Sequence, residues 1–266
     1  MITTVKVGQL EYLTAEGISA PHGFTTRLGG VSTGDLTSLN LGTHRGDDPE
    51  NVLKNYEILG NAIGFDTKKL VLTKQTHTDI VRAVGAEDWG TGLFSPEFPP
   101  CDGLVTNTPG TALVVFTADC TPILLHDPVT GAVGAVHAGW RGTAADIAGK
   151  AVAAMKKAYG CDPKNIHAAI GPNIAQCCFQ TDRDVPDAIR QTLGTAADDL
   201  IDFRSGKYYV NLKEVNARLL RNAGVTEIEI SDACTVCRCD RFWSHRVMGA
   251  ARGSQGAIIV CKEGYR

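Results

Sequence analysis

The sequence predicts an α+β protein, a single domain over residues 1–266 with mixed β-sheet flanked by helices. Three observations carry that reading. Apolar, β-branched runs recur between Gly, Pro, Asn and Asp clusters. Segments with helical spacing fall between those runs. No internal repeat, low-complexity tract or long linker divides the chain.

The elements follow in order. Asp48-Pro49 opens a helix with Pro at its first position, and apolar spacing carries it to about Ala62. Residues 71–84 read as two short strands around a polar stretch, 73–79. Residues 85–100, rich in Gly and Pro, read as a surface loop or lid. Strands over 112–116, 123–126 and 132–137 come next, and Asp127-Pro-Val-Thr-Gly131 makes a hairpin of the last two. With the turn centred near Val129, the residue facing His137 is expected at about position 120, within one, so Cys120 and His137 become neighbours. Ala144, Ile147, Ala148, Ala151, Val152 and Met155 then define a helix with Gly142 or Thr143 as its cap. A strand at 166–170, a helix over 212–223 stopped by Gly224, and strands at 226–230 and 257–260 complete the pattern.

Composition narrows the function classes. Hydrophobic residues at 43% suffice for a substantial core, and a net charge of -3 offers no basic field for nucleic acid or anionic lipid. No apolar run reaches the roughly 20 residues of a membrane helix. The first residues lack a basic segment and a continuous apolar stretch, so a cytoplasmic protein with reduced thiols is expected. The nine cysteines are an odd number in a long chain, which also argues against a disulfide framework.

Among the chemistry-bearing residues, His77 lies in a polar segment, and His137 ends a strand before a glycine-rich turn. With Cys120 they make a common open zinc set, three protein ligands and a fourth position for water or substrate. Taken singly, each also fits a structural role. Arg141 and Gly142, at the start of the following helix, read equally as an anion-binding turn or as a tight connection with a solvated arginine. Asp119 is a proton-transfer candidate or a strand-end carboxylate. Cys234-Thr-Val-Cys237-Arg-Cys239 invites a zinc or redox reading, but no second CxxC exists. Cys177-Cys178 could supply the missing ligands, yet adjacent cysteines rarely converge on one ion, so unligated thiols are the expectation there.

Several strings together carry a resemblance. Cys101-Asp-Gly-Leu-Val-Thr106, Thr117-Ala-Asp-Cys120-Thr-Pro122, His137-Ala-Gly-Trp-Arg-Gly-Thr143, Ile170-Gly-Pro-Asn173 and Phe242-Trp-Ser-His-Arg246 resemble the laccase-domain family. Its members are also described as multicopper polyphenol oxidoreductase-like proteins, purine nucleoside phosphorylases or peptidoglycan-editing factors. Phe24 to Ser32 and Ser38-Leu-Asn40-Leu-Gly42 are similar to the same family, so the resemblance spans nearly the whole chain. It implies a four-layer αββα sandwich and a zinc site at His77, Cys120 and His137. It also implies phosphorolysis of adenosine, inosine and methylthioadenosine, with adenosine deamination as a second activity. Arg27, Asn40, Arg45, Gly142 and Arg246 become candidates for binding nucleoside or phosphate, with Asp119 and Arg141 as catalytic candidates. Two departures stand out. Asn55-Tyr56 replaces the Asn-Arg of many members, with Arg45 a possible substitute, and Cys177-Cys178-Phe-Gln replaces a CCYEVG-like run.

Four readings follow. A zinc-dependent purine nucleoside enzyme uses the open metal position and an anion site. A cysteine hydrolase would pair Cys120 with His137, and His77 speaks against it because the third member of such a set is usually Asp or Asn. A binding or editing factor would use the same pocket without that chemistry. A copper polyphenol oxidase is disfavoured, although copper could bind in vitro. Seven histidines with no His-x-His pair cannot supply both a blue-copper site and a trinuclear cluster. Sequence alone leaves the oligomeric state open.

Overall fold

The computed structural model describes residues 1–262. The chain begins with β1 (Ile2–Val7), β2 (Leu10–Ala15) and β3 (His22–Thr25), followed by α1 (Pro49–Ile63). Next come β4 (Leu70–Leu72), β5 (Val81–Ala83), β6 (Gly103–Thr106), β7 (Ala112–Thr117), β8 (Thr121–His126) and β9 (Val133–Ala138). Helices α2 (Trp140–Ala144) and α3 (Ile147–Tyr159) lead to β10 (His167–Ile170), β11 (Gln180–Thr181) and α4 (Asp184–Leu193). Strands β12 (Ile201–Arg204) and β13 (Lys207–Val210), helix α5 (Leu212–Asn222), β14 (Glu227–Ile230), α6 (His245–Met248) and β15 (Gln255–Val260) complete the order.

The strands form two six-stranded sheets and a small third one. The first sheet runs β1-β2-β3-β15-β7-β4, the second β14-β10-β8-β9-β6-β5, and the third β11-β13-β12. Both large sheets are mixed. Pairs β4–β7, β5–β6 and β10–β14 are parallel and the others antiparallel. Because side chains alternate across a strand, each large sheet carries two apolar faces. Leu113 and Val115 of β7 and Ala257 and Ile259 of β15 meet Leu124 of β8 and Ala135 of β9 between the sheets. Their neighbours Ala112, Val114, Ile258 and Val260 pack instead on Val52, Tyr56 and Leu59 of α1. On the far side, Ile123 and Leu125 of β8 and Val136 of β9 meet Ile147, Ala151 and Met155 of α3 and Val215 and Leu219 of α5. Three stacked cores thus bind four layers, αββα.

Local chemistry sets the helix ends. The Asp48 side chain caps α1 through the Glu50 N–H, with Pro49 following it, and Gly64 closes the helix in the left-handed conformation at φ 95°. The expected single helix after Gly139 is two. Asp146 adopts φ 56° and its side chain accepts from the Gly149 N–H, so α2 stops and α3 starts afresh. Gly139 and Asp146, not Gly142 or Thr143, are therefore the caps.

The hairpin register also differs from expectation. Pro122 faces His137, and Thr121 faces Ala138. The turn is one residue more asymmetric than a centre at Val129, because Gly131 N–H bonds back to the Asp127 carbonyl and Asp127 N–H to that of Ala132. Extending the register puts Cys120 opposite Gly139, with His137 its diagonal neighbour on the same face. The 85–100 segment is not a detached lid. Trp89 packs with Phe98 against the inter-sheet core and donates its indole N–H to Thr111 Oγ1 at 2.8 Å.

Candidate active site and its metal-binding cluster

Two chain crossings between the large sheets meet at one place. The β4–β5 connection carries His77, and the β7–β8 connection carries Asp119 and Cys120. His137 stands near the end of β9. One donor atom from each of His77, Cys120 and His137 lies within 4.8 Å of the other two. Cys120 Sγ is 3.7 Å from His77 Nε2, and the imidazole rings of His77 and His137 meet edge-on with centroids 5.1 Å apart. His137 is buried, Cys120 half-buried and His77 exposed, which leaves one side of the trio accessible.

Asp102 organises this cluster. It is fully buried at the entrance to β6, yet its carboxylate is satisfied many times over. Oδ1 accepts from the His77 N–H at 3.0 Å and from His137 Nδ1 at 2.7 Å. Oδ2 accepts from the Thr76 and Thr78 N–H groups and from Thr78 Oγ1 at 2.7 Å. These bonds hold His77 at φ 63°, a backbone conformation unusual outside glycine. They also hold a proton of His137 on Nδ1 and leave its Nε2 for the cluster, where a metal ion would displace the second proton of the imidazolium, the arrangement found where carboxylates support metal-bound histidines. Gly139 is required as well, since a Cβ there would lie 2.5 Å from His77 Cδ2 and 3.4 Å from Cys120 Sγ.

Electrostatics follow from this geometry. Burial alone would raise the Asp102 carboxyl, but hydrogen bonds from His137 and Thr78 outweigh it and hold it at about 2. Burial would likewise raise Cys120, but the charge of His137 and hydrogen bonds from both histidines bring the thiol down to about 6. Burial opposes protonation of His137, while the Cys120 thiolate and Asp102 carry it up to about 9. A thiolate therefore stands ready at neutral pH, the form in which cysteine binds metal or attacks carbon. Soft sulfur, two imidazoles and an accessible side suit a metal of the zinc class with an open position.

The trio opens onto a cleft of about 690 Å³. Trp140, Ile174, Phe179, Leu212 and Phe116 give it apolar walls. Arg45, Arg246 and Arg252 bring positive charge, and Asp119, Glu97 and His245 also line it. Arg45 Nε donates to Ser254 Oγ at 3.2 Å, Arg252 Nη1 to the same oxygen at 3.3 Å, and Arg252 Nε is buried without a partner. Burial, then the nearby charge of Arg45, lowers the Arg252 guanidinium to about 10. Two crowded guanidinium groups with an unspent donor form a site suited to an anion. Tyr56 is buried and donates its hydroxyl to the Leu41 carbonyl, whereas Arg45 reaches the cleft.

The other expected site residues divide. Asp119 lines the cleft with both oxygens engaged, Oδ1 by Thr235 Oγ1 at 2.6 Å and Oδ2 by the Arg246 N–H at 2.8 Å. Four residues do not line it. Arg27 stacks on Trp243 at 4.0 Å and donates to the Thr37 carbonyl. Asn40 is buried and braces Asp47, Gly42 and Ser254. Arg141 is exposed and lies over the Trp140 ring at 4.2 Å. Gly142 is buried where a Cβ would meet the Thr78 carbonyl at 3.0 Å. Helix α2 is only five residues long, too short for its start to serve as an anion site of the expected kind.

Asp102 and Arg252 were missed from sequence. The signal for Asp102 was a carboxylate between Cys101 and the apolar strand of β6, inside a string noted only as a family match. Arg252 had no local signal.

A family model described as multi-copper polyphenol oxidoreductase laccase matches residues 21–262. The chain belongs to this family. Within the laccase family it is 38% identical over 248 residues to a purine nucleoside phosphorylase YlmD of Geobacillus stearothermophilus, covering 91% of this chain and 89% of that protein. A Deinococcus radiodurans purine nucleoside phosphorylase is 37% identical over 94% of this chain and 92% of its own length. Human purine nucleoside phosphorylase LACC1 is 35% identical over 91% of this chain and 56% of its own length. The crystal structure of Geobacillus stearothermophilus YlmD superposes with a TM-score of 0.93 at 36% identity, over 99% of this chain and 100% of that one. Among the described residues, no helix is long and apolar enough to cross a membrane.

Proposed function

We propose that this protein is a zinc-dependent purine nucleoside phosphorylase acting on adenosine, inosine and methylthioadenosine, with adenosine deaminase activity beside it, and that it works in the cytoplasm. One observation carries the reading. The open His77–Cys120–His137 donor set and the Arg45–Arg252 pair line the same cleft, so a polarising centre and an anion anchor face one substrate. Relatives named purine nucleoside phosphorylase support it.

In this scheme Arg45, Arg252 and Arg246 hold phosphate, and the apolar walls stack the purine. A phosphate oxygen forms a bond to C1′ of the ribose as the bond from C1′ to the base nitrogen breaks. The base leaves with that electron pair and takes up a proton. We assign to Asp119, fixed by Thr235 and Arg246, the relay to the base of the proton that dihydrogen phosphate gives up as it attacks. Zinc at the trio would supply Lewis acidity and, for deamination, an activated water. Arg141 acts at one remove, by bracing Trp140. A blue-copper oxidase is disfavoured by donor count. Among the described residues, the only groups of three or more converging donors are this trio and a set of four cysteines, neither of which supplies a trinuclear copper cluster.

The test is adenosine or inosine cleavage with and without phosphate. Ribose 1-phosphate should form only with phosphate, while deamination of adenosine persists without it. Equal cleavage in phosphate-free buffer would end the phosphorylase reading.

A second reading has gained an observation. Asp102, His137 and Cys120 form an acid–imidazole–thiol line, so the missing carboxylate no longer speaks against a cysteine hydrolase. Its mark would be a covalent substrate adduct on Cys120 in metal-free protein.

A further inference from the structure

Four thiols that the cleft chemistry does not use lie together, and one of them, Cys234, is the chain neighbour of Thr235, whose hydroxyl holds Asp119. Cys177 and Cys178 sit in the connection after β10, and Cys234 and Cys237 in the connection after β14. The two strands are parallel neighbours, so both connections leave from the same sheet end. The Thr235 N–H bonds to the Asn173 carbonyl at 2.9 Å, and the Ala175 N–H reaches Cys234 Sγ at 3.4 Å. The sulfurs of Cys177 and Cys178 are 3.6 Å apart, those of Cys177 and Cys237 3.7 Å, and those of Cys178 and Cys237 3.4 Å. All four sulfurs lie within 4.8 Å of one another. The expectation that adjacent cysteines would not converge fails here, because the turn after Ala175 folds both side chains toward the Cys234–Cys237 turn.

We propose that Cys177, Cys178, Cys234 and Cys237 bind a second zinc ion whose role is structural. A zinc ion with about 2.3 Å bonds to four tetrahedral thiolates sets them about 3.8 Å apart, close to the separations seen. A disulfide would need about 2.05 Å, and every cysteine is free. An iron–sulfur core would spread the thiolates farther, since it divides them between two irons in a [2Fe–2S] cluster or among four in a [4Fe–4S] cluster. Four thiolates around a divalent ion leave two negative charges, and cations surround the quartet. Arg204 donates to the Cys177 carbonyl and Arg246 to that of Cys178. Lys213, buried, donates to the carbonyls of Ser231 and Ala233 beside Cys234. With all four positions filled by protein, the ion has no place for substrate and acts as a staple. What it staples is the cleft wall: Ile174 and Phe179 on one connection, and Thr235, which holds Asp119, on the other.

The experiment counts zinc in the full chain purified without added metal. The wild type should hold about two ions, Cys237→Ser about one, and His137→Ala about one. Cys237 is exposed, so its replacement by serine should leave the fold intact, as circular dichroism can verify. Cobalt loaded in place of zinc should give intense thiolate-to-metal charge-transfer absorption that Cys237→Ser cuts back to the weaker band of the single Cys120 thiolate and that His137→Ala largely keeps. Wild-type and Cys237→Ser proteins with equal zinc content and equal cobalt spectra would overturn the second site, and leave the cleft metal untouched. Fewer than nine titratable thiols in denatured, metal-stripped, unreduced protein would overturn it too, by revealing a disulfide.

Discussion

The two donor clusters differ in almost every physical respect. The cleft trio is incomplete, accessible on one side, and rests on a fully buried carboxylate that also fixes the backbone of His77. The cysteine quartet is complete, lies at the surface with Cys177 and Cys237 exposed, and is supported by cations at its backbone carbonyls rather than by an anion at a ligand. An open donor set beside a cavity has a coordination position to spend on substrate. A closed one spends all its positions on holding the chain. Donor type alone would not separate these roles, since thiolate occurs in both; the number of donors and their support do.

The largest expected effect breaks that contrast at its root. Asp102→Asn keeps the shape but removes the charge that five donors share. Cleft zinc affinity should fall by about 100-fold or more, the upper range for a support residue, with the quartet's metal retained; calorimetric titration of the stripped proteins checks it. The same carboxyl bears on acid stability. Its folded value of about 2 lies below the ordinary 3.8, so its contribution is complete above about pH 4 and lost as pH falls toward 2. In Asp102→Asn that part of the acid-unfolding curve should vanish.

Gly139→Ala should have the next largest effect, because the new methyl would press on His77 at 2.5 Å. His77 must move, so zinc affinity and kcat should fall by about tenfold, within the range of a displaced catalytic group, while Tm shifts little. An unchanged zinc affinity would show that His77 is dispensable to the cleft metal. The smallest effect separates anion from metal. Arg252→Gln should raise the KM for phosphate by roughly tenfold, the worth of a charge-assisted hydrogen bond, and leave both metals in place. Equal KM in the variant would move the phosphate site elsewhere in the cleft.

Much of this was legible in the chain, and for definite reasons. Helix α1 announced itself by Asp48-Pro49, and α5 by its apolar period and Gly224. The hairpin chemistry brought Cys120 near His137 even though the register was off, because residues on one face remain neighbours along the diagonal. The break between α2 and α3 was hidden because Asp146 looks like any helical polar residue until its φ is known. The roles of Asp102 and Arg252 and the convergence of the quartet depend on contacts between segments far apart in sequence. Cys178 and Cys237 meet only because β10 and β14 are parallel neighbours. Arg27 and Asn40 lie outside the cleft lining and brace loops, a role that a polar residue's place in a motif does not reveal.

The crossings that carry His77 and Cys120 pass from one large sheet to the other. Any slow breathing motion that parts the layers at that edge must stretch both crossings and so disturb the spacing of these donors from each other and from His137 on β9. A bound ion there would therefore act as a clasp on the stack, and its departure would make such openings more frequent. The amides of residues 76–78, tied to Asp102, are the natural reporters, since their exchange with solvent hydrogen would quicken as the clasp is released.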